Sequence, residues 1–283
     1  MRYALYAQPV DYLVIGHVTQ DLTPSGPVLG GTAAYAALTA RAMGLRVGLV
    51  TACHPETDLS PLSEVQVLAW PADYTTTFEN RAGVHGREQI LHCVAAPLQL
   101  NMIPEVWRKT PIVHLAPVAQ EVDPKLVRAF PDSFVGLTPQ GWLRAWDSQG
   151  RVHFTEWPEA RFVLEAANAA VLSLEDVAGN EAIIEEMLAS IRVLVVTEGA
   201  AGARLYWNGD LRYFRPPTVQ EVDATGAGDV FAAAFFIRLH QTRDPWEAAR
   251  YATQLAAISV TRPGLLGVPT PVEAQEKLIE IIP

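Results

Sequence analysis

Short apolar segments alternate along the chain with longer stretches of helical character. Most of these segments are continuously apolar, which predicts strands buried on both faces, as in a parallel sheet. The predicted strands are residues 10–15, 47–51, 65–70, 112–116, 134–137, 170–173, 193–197 and 203–207. The predicted helices are residues 32–43, 123–130, 181–191, 227–240, 245–260 and 271–281. This alternation predicts an α/β fold with a doubly wound sheet.

Residues 75–94 depart from the alternation. Two strand-like stretches flank Gly83 and Gly86 with no helix between them, which predicts a hairpin. Because a hairpin needs a partner surface, residues 18–29 are expected to pair with it as a small β lid. No repeat or linker interrupts the rest of the chain, so residues 1–283 are expected to form a single domain.

Composition narrows the classes of partner. The net charge of −10 and the pI near 5.2 argue against nucleic acid. No apolar run approaches the ~20 residues that span a bilayer, so no membrane partner is expected. With Cys53 and Cys93 as the only cysteines, a reducing, cytoplasmic location is expected.

Residues 222–235, VDATGAGDVFAAAF, give the clearest chemical signal. A glycine-rich turn opens an apolar helix, and the free N–H groups of such a turn suit a phosphate. Asp229, in the first helical turn, could accept the proton of an attacking hydroxyl. A nicotinamide-dependent dehydrogenase is disfavoured, because the third glycine and the preceding apolar strand of the dinucleotide fingerprint are missing.

This segment resembles the C-terminal signature of the ribokinase-like (PfkB-type) carbohydrate kinases. The resemblance implies a three-layer fold with a mostly parallel central sheet and a small β lid. It also implies ATP and Mg²⁺, and it leaves a monovalent cation open. By it, Asp229 is the catalytic base, and the amides of its neighbours form the anion hole. The matching positions are Asp223, Thr225, Gly226, Ala227, Gly228 and Asp229.

The resemblance also implies two groups of binding residues. On the acceptor side are the aspartate after the first strand, a double glycine, a tyrosine where many relatives have asparagine, and a lid arginine: Asp21, Gly30, Gly31, Tyr35 and Arg87. On the nucleotide side are Thr197, Gly199, Gly202, Asp223, Thr225, Thr253 and Gly264.

Ser173 and Asp176 replace the family's N-x-x-E motif, which organises the metal in relatives. Their oxygens suit Mg²⁺, often through water.

The acceptor is expected to be an unphosphorylated polyhydroxy compound. The presumed acceptor elements, residues 17–21, 30–35 and Ala116, contain no lysine or arginine to bind a phosphate. Residues 195–199 also resemble the plant-type inositol kinases, so myo-inositol is the leading candidate. A nucleoside kinase and a non-catalytic sugar or nucleotide sensor stay open as alternatives, as do a monomer and a homodimer.

One further expectation concerns Arg144. Trp142 and Trp146, spaced i and i+4 around it, predict the packing face of a helix.

Overall fold

The computed structural model describes residues 7–83 and 86–278, and for residues 82, 83, 86 and 87 it describes the backbone alone. The strands within them are β1 (Tyr12–Ile15), β2 (Thr19–Thr23), β3 (Gly26–Gly30), β4 (Val47–Cys53), β5 (Gln66–Pro71), β6 (Thr76–Gly83), β7 (Gly86–Cys93), β8 (Ile112–Leu115), β9 (Phe134–Leu137), β10 (Arg144–Trp146), β11 (Val152–Phe154), β12 (Ala169–Ser173), β13 (Val193–Thr197), β14 (Ala203–Trp207) and β15 (Asp210–Phe214). The α-helices are α1 (Thr32–Ala42), α2 (Ala160–Leu164), α3 (Glu181–Leu188), α4 (Ala227–Thr242), α5 (Pro245–Ser259) and α6 (Pro271–Glu276).

A nine-stranded sheet, ordered β15-β14-β13-β12-β9-β8-β1-β4-β5, forms the centre of the fold. Seven of its strands, from β13 to β5, run parallel, and only the pairings β13–β14 and β14–β15 are antiparallel. The mostly parallel sheet predicted from the continuous apolar runs is confirmed.

Helices cover both faces of this sheet. Successive side chains of each strand point to opposite faces, so each strand presents apolar groups that need covering on both sides. In β1, the fully buried Tyr12 and Val14 join the hydrophobic cluster that includes α1, α4 and α5. Leu13 and Ile15 join the cluster on the other face, which includes residues of α2 and α3. The result is the predicted three-layer architecture.

A second sheet of four strands, ordered β3-β2-β6-β7, adjoins the central sheet. It is built from the two segments that the sequence analysis assigns to a lid. The short hairpin of β10 and β11 lies against it, with the Leu91 N–H donating to the Gly150 carbonyl at 2.8 Å. The tip of the β6–β7 hairpin, residues 84–85, lies outside the described residues.

Two of the six predicted helices differ clearly from the structure. Residues 123–130 form only a 3₁₀ turn, Pro124–Arg128. The last predicted helix, residues 271–281, corresponds to α6, which ends at Glu276. Residues 279–281 of the predicted range lie outside the described residues.

The helix predicted around Arg144 is wrong, since Arg144 and Trp146 belong to β10. Pro139 and Gly141 end the preceding segment in a 3₁₀ turn, and Trp142 instead stacks on Trp157 with ring centroids 4.9 Å apart. Within the described residues, no helix is both long enough and apolar enough to cross a membrane.

A buried carboxylate, Glu121, joins the end of β1 to the loop after β8. Its oxygens accept the N–H groups of His17 at 3.0 Å, Val118 at 3.0 Å and Ala119 at 2.7 Å. Only 3% of Glu121 is exposed, so water does not replace these bonds. Glu121 therefore fixes the point at which the chain leaves the central sheet for the four-stranded sheet.

Replacing Glu121 by alanine should lower the free energy of unfolding by about 2–5 kcal/mol, because three buried N–H groups lose their acceptor. Chemical denaturation measures this change. Glu56→Ala, at an exposed glutamate, serves as the control and should be nearly neutral. Equal stability of the two variants would contradict the role assigned to Glu121.

Candidate active site

Two adjoining cavities open at the carboxyl ends of the parallel strands, where ligands of open α/β sheets usually bind. The larger cavity, about 1300 Å³, extends to the four-stranded sheet, and its lining includes Asp21, Phe78 and Asn80. The smaller cavity, about 610 Å³, lies between residues 216–219 and α5. Gly226 and Asp229 line both. The start of α4 therefore stands where the two cavities meet.

Asp229 occupies the first turn of α4. Burial raises its pKa to about 7, and the nearby carboxylates of Asp176 and Asp21 act in the same direction. A hydrogen bond with Thr32 and the positive charge of Arg144 oppose this rise in pKa. A carboxyl group with a pKa near neutrality can both accept and release a proton, as a general base must.

The turn before α4 depends on Gly226. Its φ of 81° lies in the left-handed region, and a Cβ there would come within 2.2 Å of the Tyr35 ring. Tyr35 itself lines the larger cavity. Ala227 and Gly228 line the smaller cavity. Apart from the adjoining residues and the backbone of the same helix, a Cβ on Gly228 would meet no atom within 4 Å. The space beside Gly228 is thus open to a ligand.

Asp21 lies in β2 and lines the larger cavity. Its Oδ1 accepts a hydrogen bond from Thr19 Oγ1 at 3.0 Å. A Cβ on Gly30 would lie 2.5 Å from Asp21 Oδ2, so glycine at position 30 makes room for this carboxylate. Gly31 lines the cavity, whereas Gly30 does not. The side chain of Arg87, also predicted to bind the acceptor, lies outside the described residues.

The residues predicted for the nucleotide fall into two groups. Those that line a cavity are Thr197 and Gly199 in both, Thr225 in the larger, and Gly202 and Thr253 in the smaller. Asp223 and Gly264 are absent from the described lining of either cavity. Instead, Asp223 Oδ1 accepts the Thr225 N–H at 2.9 Å, and its Oδ2 accepts the Gly264 N–H at 2.8 Å. These two residues hold the turn rather than face the cavity.

Ser173 and Asp176, the predicted metal residues, lie where β12 ends and line both cavities. They form a capping box, in which the Ser173 N–H donates to Asp176 Oδ2 at 2.8 Å. Burial raises the pKa of Asp176. No group of three or more metal-ligating side chains gathers within the part of the chain that the structure describes. The oxygen donors fit Mg²⁺, which commonly uses one or two carboxylates together with substrate phosphates and water.

Arg144 is the main residue that the sequence analysis missed. It lines both cavities, and its charge acts on Asp229 and Asp176. Arg87 of the lid is the acceptor-side cation expected from the sequence, whereas the structure also places Arg144 in the lining of the larger cavity. The error arose because Arg144 comes from the β10–β11 hairpin, whose three-residue strands carry too little pattern to be recognised.

Comparison with known proteins identifies the family. Residues 118–271 match the model of the pfkB family carbohydrate kinases. The chain is 41% identical over 87 residues to the ribokinase of Bacillus subtilis (strain 168), covering 30% of this chain and 29% of that protein. It is 39% identical over 77 residues to an inositol 3-kinase of Zea mays, covering 27% of this chain and 20% of that protein. The chain thus matches less than a third of the length of these relatives.

Two longer matches span most of the molecule. A cytidine kinase of Thermococcus kodakarensis (strain ATCC BAA-918 / JCM 12380 / KOD1) is 26% identical over 277 residues, covering 87% of this chain and 95% of that one. A pyrophosphate-dependent kinase in the ribokinase family superimposes with a TM-score of 0.80 at 20% identity, covering 94% of this chain and 100% of that chain. The latter shows a common fold. From the family match over more than half of its length, the chain belongs to the pfkB family of carbohydrate kinases.

Proposed function

We propose that the chain transfers the γ-phosphoryl group of ATP to a hydroxyl of an unphosphorylated sugar or cyclitol, with myo-inositol the leading candidate. The observation that carries this proposal is the position of Asp229. Its carboxyl group, with a pKa raised to about 7, stands beside a helix N-terminus where two cavities meet. A base, an anion-binding turn and separate spaces for two substrates are the parts that phosphoryl transfer requires.

In the proposed reaction the acceptor occupies the larger cavity, where Asp21 accepts hydrogen bonds from its hydroxyls. Asp229 takes the proton of the hydroxyl that attacks phosphorus. The backbone N–H groups of residues 226–228 and the positive end of α4 stabilise the charge on the transferred group. The four-stranded sheet acts as a lid over the acceptor.

Asp176 and Ser173 are the residues that would hold Mg²⁺, directly or through water, beside the donor phosphates. Bound there, the ion would neutralise phosphate charge. Asp176 Oδ2 already accepts the Ser173 N–H, so the carboxylate is held in a fixed orientation.

The smaller cavity supports a nucleotide as phosphoryl donor. Beyond the Gly226 turn it continues along an apolar wall that pyrophosphate alone would leave uncovered, formed by Pro216, Pro217, Val219, Ala256, Ala257 and Val260. A planar base can cover such a wall and remove it from water. Thr253 Oγ1 donates to the Ala249 carbonyl at 2.7 Å, so its methyl group is available to the same wall.

The lining of the larger cavity supports a hydroxyl-rich acceptor. Asp21, Asn80 and Gln89 supply hydrogen-bonding groups. Gln89 Nε2 donates a hydrogen bond to Asn80 Oδ1 at 3.1 Å. Vicinal hydroxyls, as on a sugar or cyclitol, can donate to both oxygens of one carboxylate.

A nucleoside is the second candidate acceptor. The aromatic rings of Phe78 and Phe154 in the cavity lining could contact a base. The long match to a cytidine kinase favours the same alternative. A non-catalytic sensor has less support, because Asp229 is present and faces both cavities.

A donor and acceptor panel tests the proposal. Purified protein with Mg²⁺ is given ATP or pyrophosphate, each with myo-inositol, ribose, fructose, cytidine or fructose 6-phosphate, and product formation is followed. We expect ADP formation that depends on an unphosphorylated polyol or sugar. Turnover with pyrophosphate but not with ATP would overturn the donor assignment. Preference for fructose 6-phosphate over the unphosphorylated acceptors would overturn the acceptor assignment. No turnover with any pair would contradict the proposed function.

Replacing Asp21 by alanine should raise the KM of the acceptor about 10- to 100-fold, because charge-assisted hydrogen bonds to its hydroxyls are lost. Affinity for ATP, measured by calorimetry, should barely change. Asp73→Ala is the matched control, since this exposed aspartate precedes β6 and lines neither cavity. An unchanged acceptor KM in the Asp21 variant would remove Asp21 from the acceptor site.

A further inference from the structure

Among the described residues that line either cavity, Arg144 is the only lysine or arginine. The other charged residues of the lining are acidic: Asp21, Glu88, Glu175, Asp176, Glu198, Glu221 and Asp229. A triphosphate entering such a site meets mostly like charge, which disfavours its binding. The single guanidinium is therefore the side chain with most to contribute to phosphate binding.

Arg144 is held from several directions. Its Nη1 donates to the Val118 carbonyl at 3.2 Å, and its own carbonyl accepts Gln120 Nε2 at 2.5 Å. Its Cζ lies 5.8 Å from the centre of the Phe78 ring. In β10 it pairs with Phe154 of β11. The bond to Gln120 and the strand pairing fix the backbone at residue 144. The bond to Val118 restricts the guanidinium itself before any ligand arrives, so less side-chain entropy is lost on binding.

Arg144 lines both cavities, as do Asp229 and Asp176. Its positive charge lowers the pKa of both Asp229 and Asp176, against the effect of burial. Asp229 is the proposed base and Asp176 the proposed metal residue. A cation that lines both cavities together with these two residues lies beside the path from donor to acceptor.

We propose that the guanidinium of Arg144 binds the phosphoryl group while it is transferred, which makes Arg144 a catalytic residue; this inference rests on the proposed function. In the transfer, a bond forms between the acceptor oxygen and the γ-phosphorus. The bond from that phosphorus to the bridging oxygen breaks, and its electron pair leaves with ADP. The hydroxyl proton goes to Asp229. Arg144 neutralises charge on the transferred oxygens, and the described lining of the two cavities contains no lysine that could do so instead.

The test compares Arg144→Gln and Arg144→Lys with wild type. Arg151→Gln is the matched control, because the exposed Arg151 lies on the same hairpin, pairs with half-buried Asp147 and lines neither cavity. For Arg144→Gln we expect kcat to fall about 10- to 100-fold, the effect of losing a hydrogen bond to a charged group. Arg144→Lys should recover part of this loss, since it keeps the charge but not the planar fork. The control should retain wild-type kcat.

A binding measurement separates this role from a structural one. Only ATP carries the γ-phosphoryl group, so Arg144→Gln should weaken ATP binding in calorimetry while ADP binding stays nearly unchanged. In addition, the acid limb of kcat/KM against pH should move to higher pH, because the charge that lowers the pKa of Asp229 is gone.

Three outcomes would overturn the inference. They are wild-type kcat in Arg144→Gln, equal loss of ATP and ADP affinity, and a fall in activity that follows a fall in Tm in both Arg144 variants. Failure of the proposed function is seen separately, as wild-type protein that phosphorylates no acceptor. An active wild type with an unaffected Arg144→Gln variant sinks this inference alone.

Discussion

Replacing Asp229 by asparagine should lower kcat about 10²- to 10⁴-fold, the usual cost of losing a general base. Asparagine keeps nearly the same shape and is tolerated at a helix start, so folding and ATP affinity should persist. Steady-state kinetics with the best acceptor of the panel measures the loss. Asp244→Asn is the matched control, because Asp244 caps the start of α5 and lines neither cavity.

The pH dependence of the wild type provides an independent check on Asp229. Burial raises its pKa to about 7, so the base is ionised above this pH and protonated below it. The value of kcat/KM, which reports the free enzyme, should therefore rise with pH and level off above about pH 7. In Asp229→Asn this limb should disappear. Wild-type turnover in that variant, or a flat wild-type profile from pH 5 to 8, would show that another group takes the proton.

Replacing Gly228 by valine should lower kcat about 10²- to 10³-fold, comparable to the loss of an oxyanion donor. A branched side chain there would project into the open space beside the turn, where the phosphoryl oxygens must approach the backbone N–H groups. The protein itself has room for it, since no atom outside the adjoining residues and the backbone of the same helix lies within 4 Å of the added Cβ. The defect should therefore appear in turnover and not in Tm.

Gly228→Ala makes this test graded. Alanine adds one carbon and favours helix more than glycine does, so its free energy of unfolding should not fall. Its kcat should lie between those of wild type and the valine variant. Gly226→Ala provides a contrast, because its Cβ would collide with the Tyr35 ring and lower stability as well. Equal turnover in wild type and Gly228→Val would remove residues 226–228 from the anion-binding site.

The central sheet and the start of α4 were predictable because their signals are local. The strand Val193–Thr197 is apolar up to its last residue, and Gly226 and Gly228, at the start of α4, stand close to Asp229 in the chain. Arg144 was not predictable, because a three-residue strand shows no periodicity and only folding brings it to Asp229. The hydrogen bond from the Gly264 N–H to Asp223 likewise joins residues far apart in the chain. From the sequence both residues were therefore predicted to bind the nucleotide, whereas in the structure they bind each other.

The surroundings of Asp21 were also only partly predictable from the sequence. Its place after β1 is visible in the sequence, but its dependence on Gly30 is not. Pairing between β2 and β3 sets Thr19 opposite Gly30, and this register brings the glycine against the Asp21 carboxylate. Such close approaches follow from strand pairing, which apolar patterns alone do not specify.

The two groups of site residues come from different parts of the chain. Asp21, Phe78 and Asn80 belong to segments that follow β1 and β5, whereas the residues assigned to the donor follow β12, β13 and β15 or belong to α4 and α5. The family match covers residues 118–271, which include the second group and exclude the first. Substitutions in the segments that follow β1 and β5 can therefore change contacts with the acceptor while the start of α4 stays unchanged.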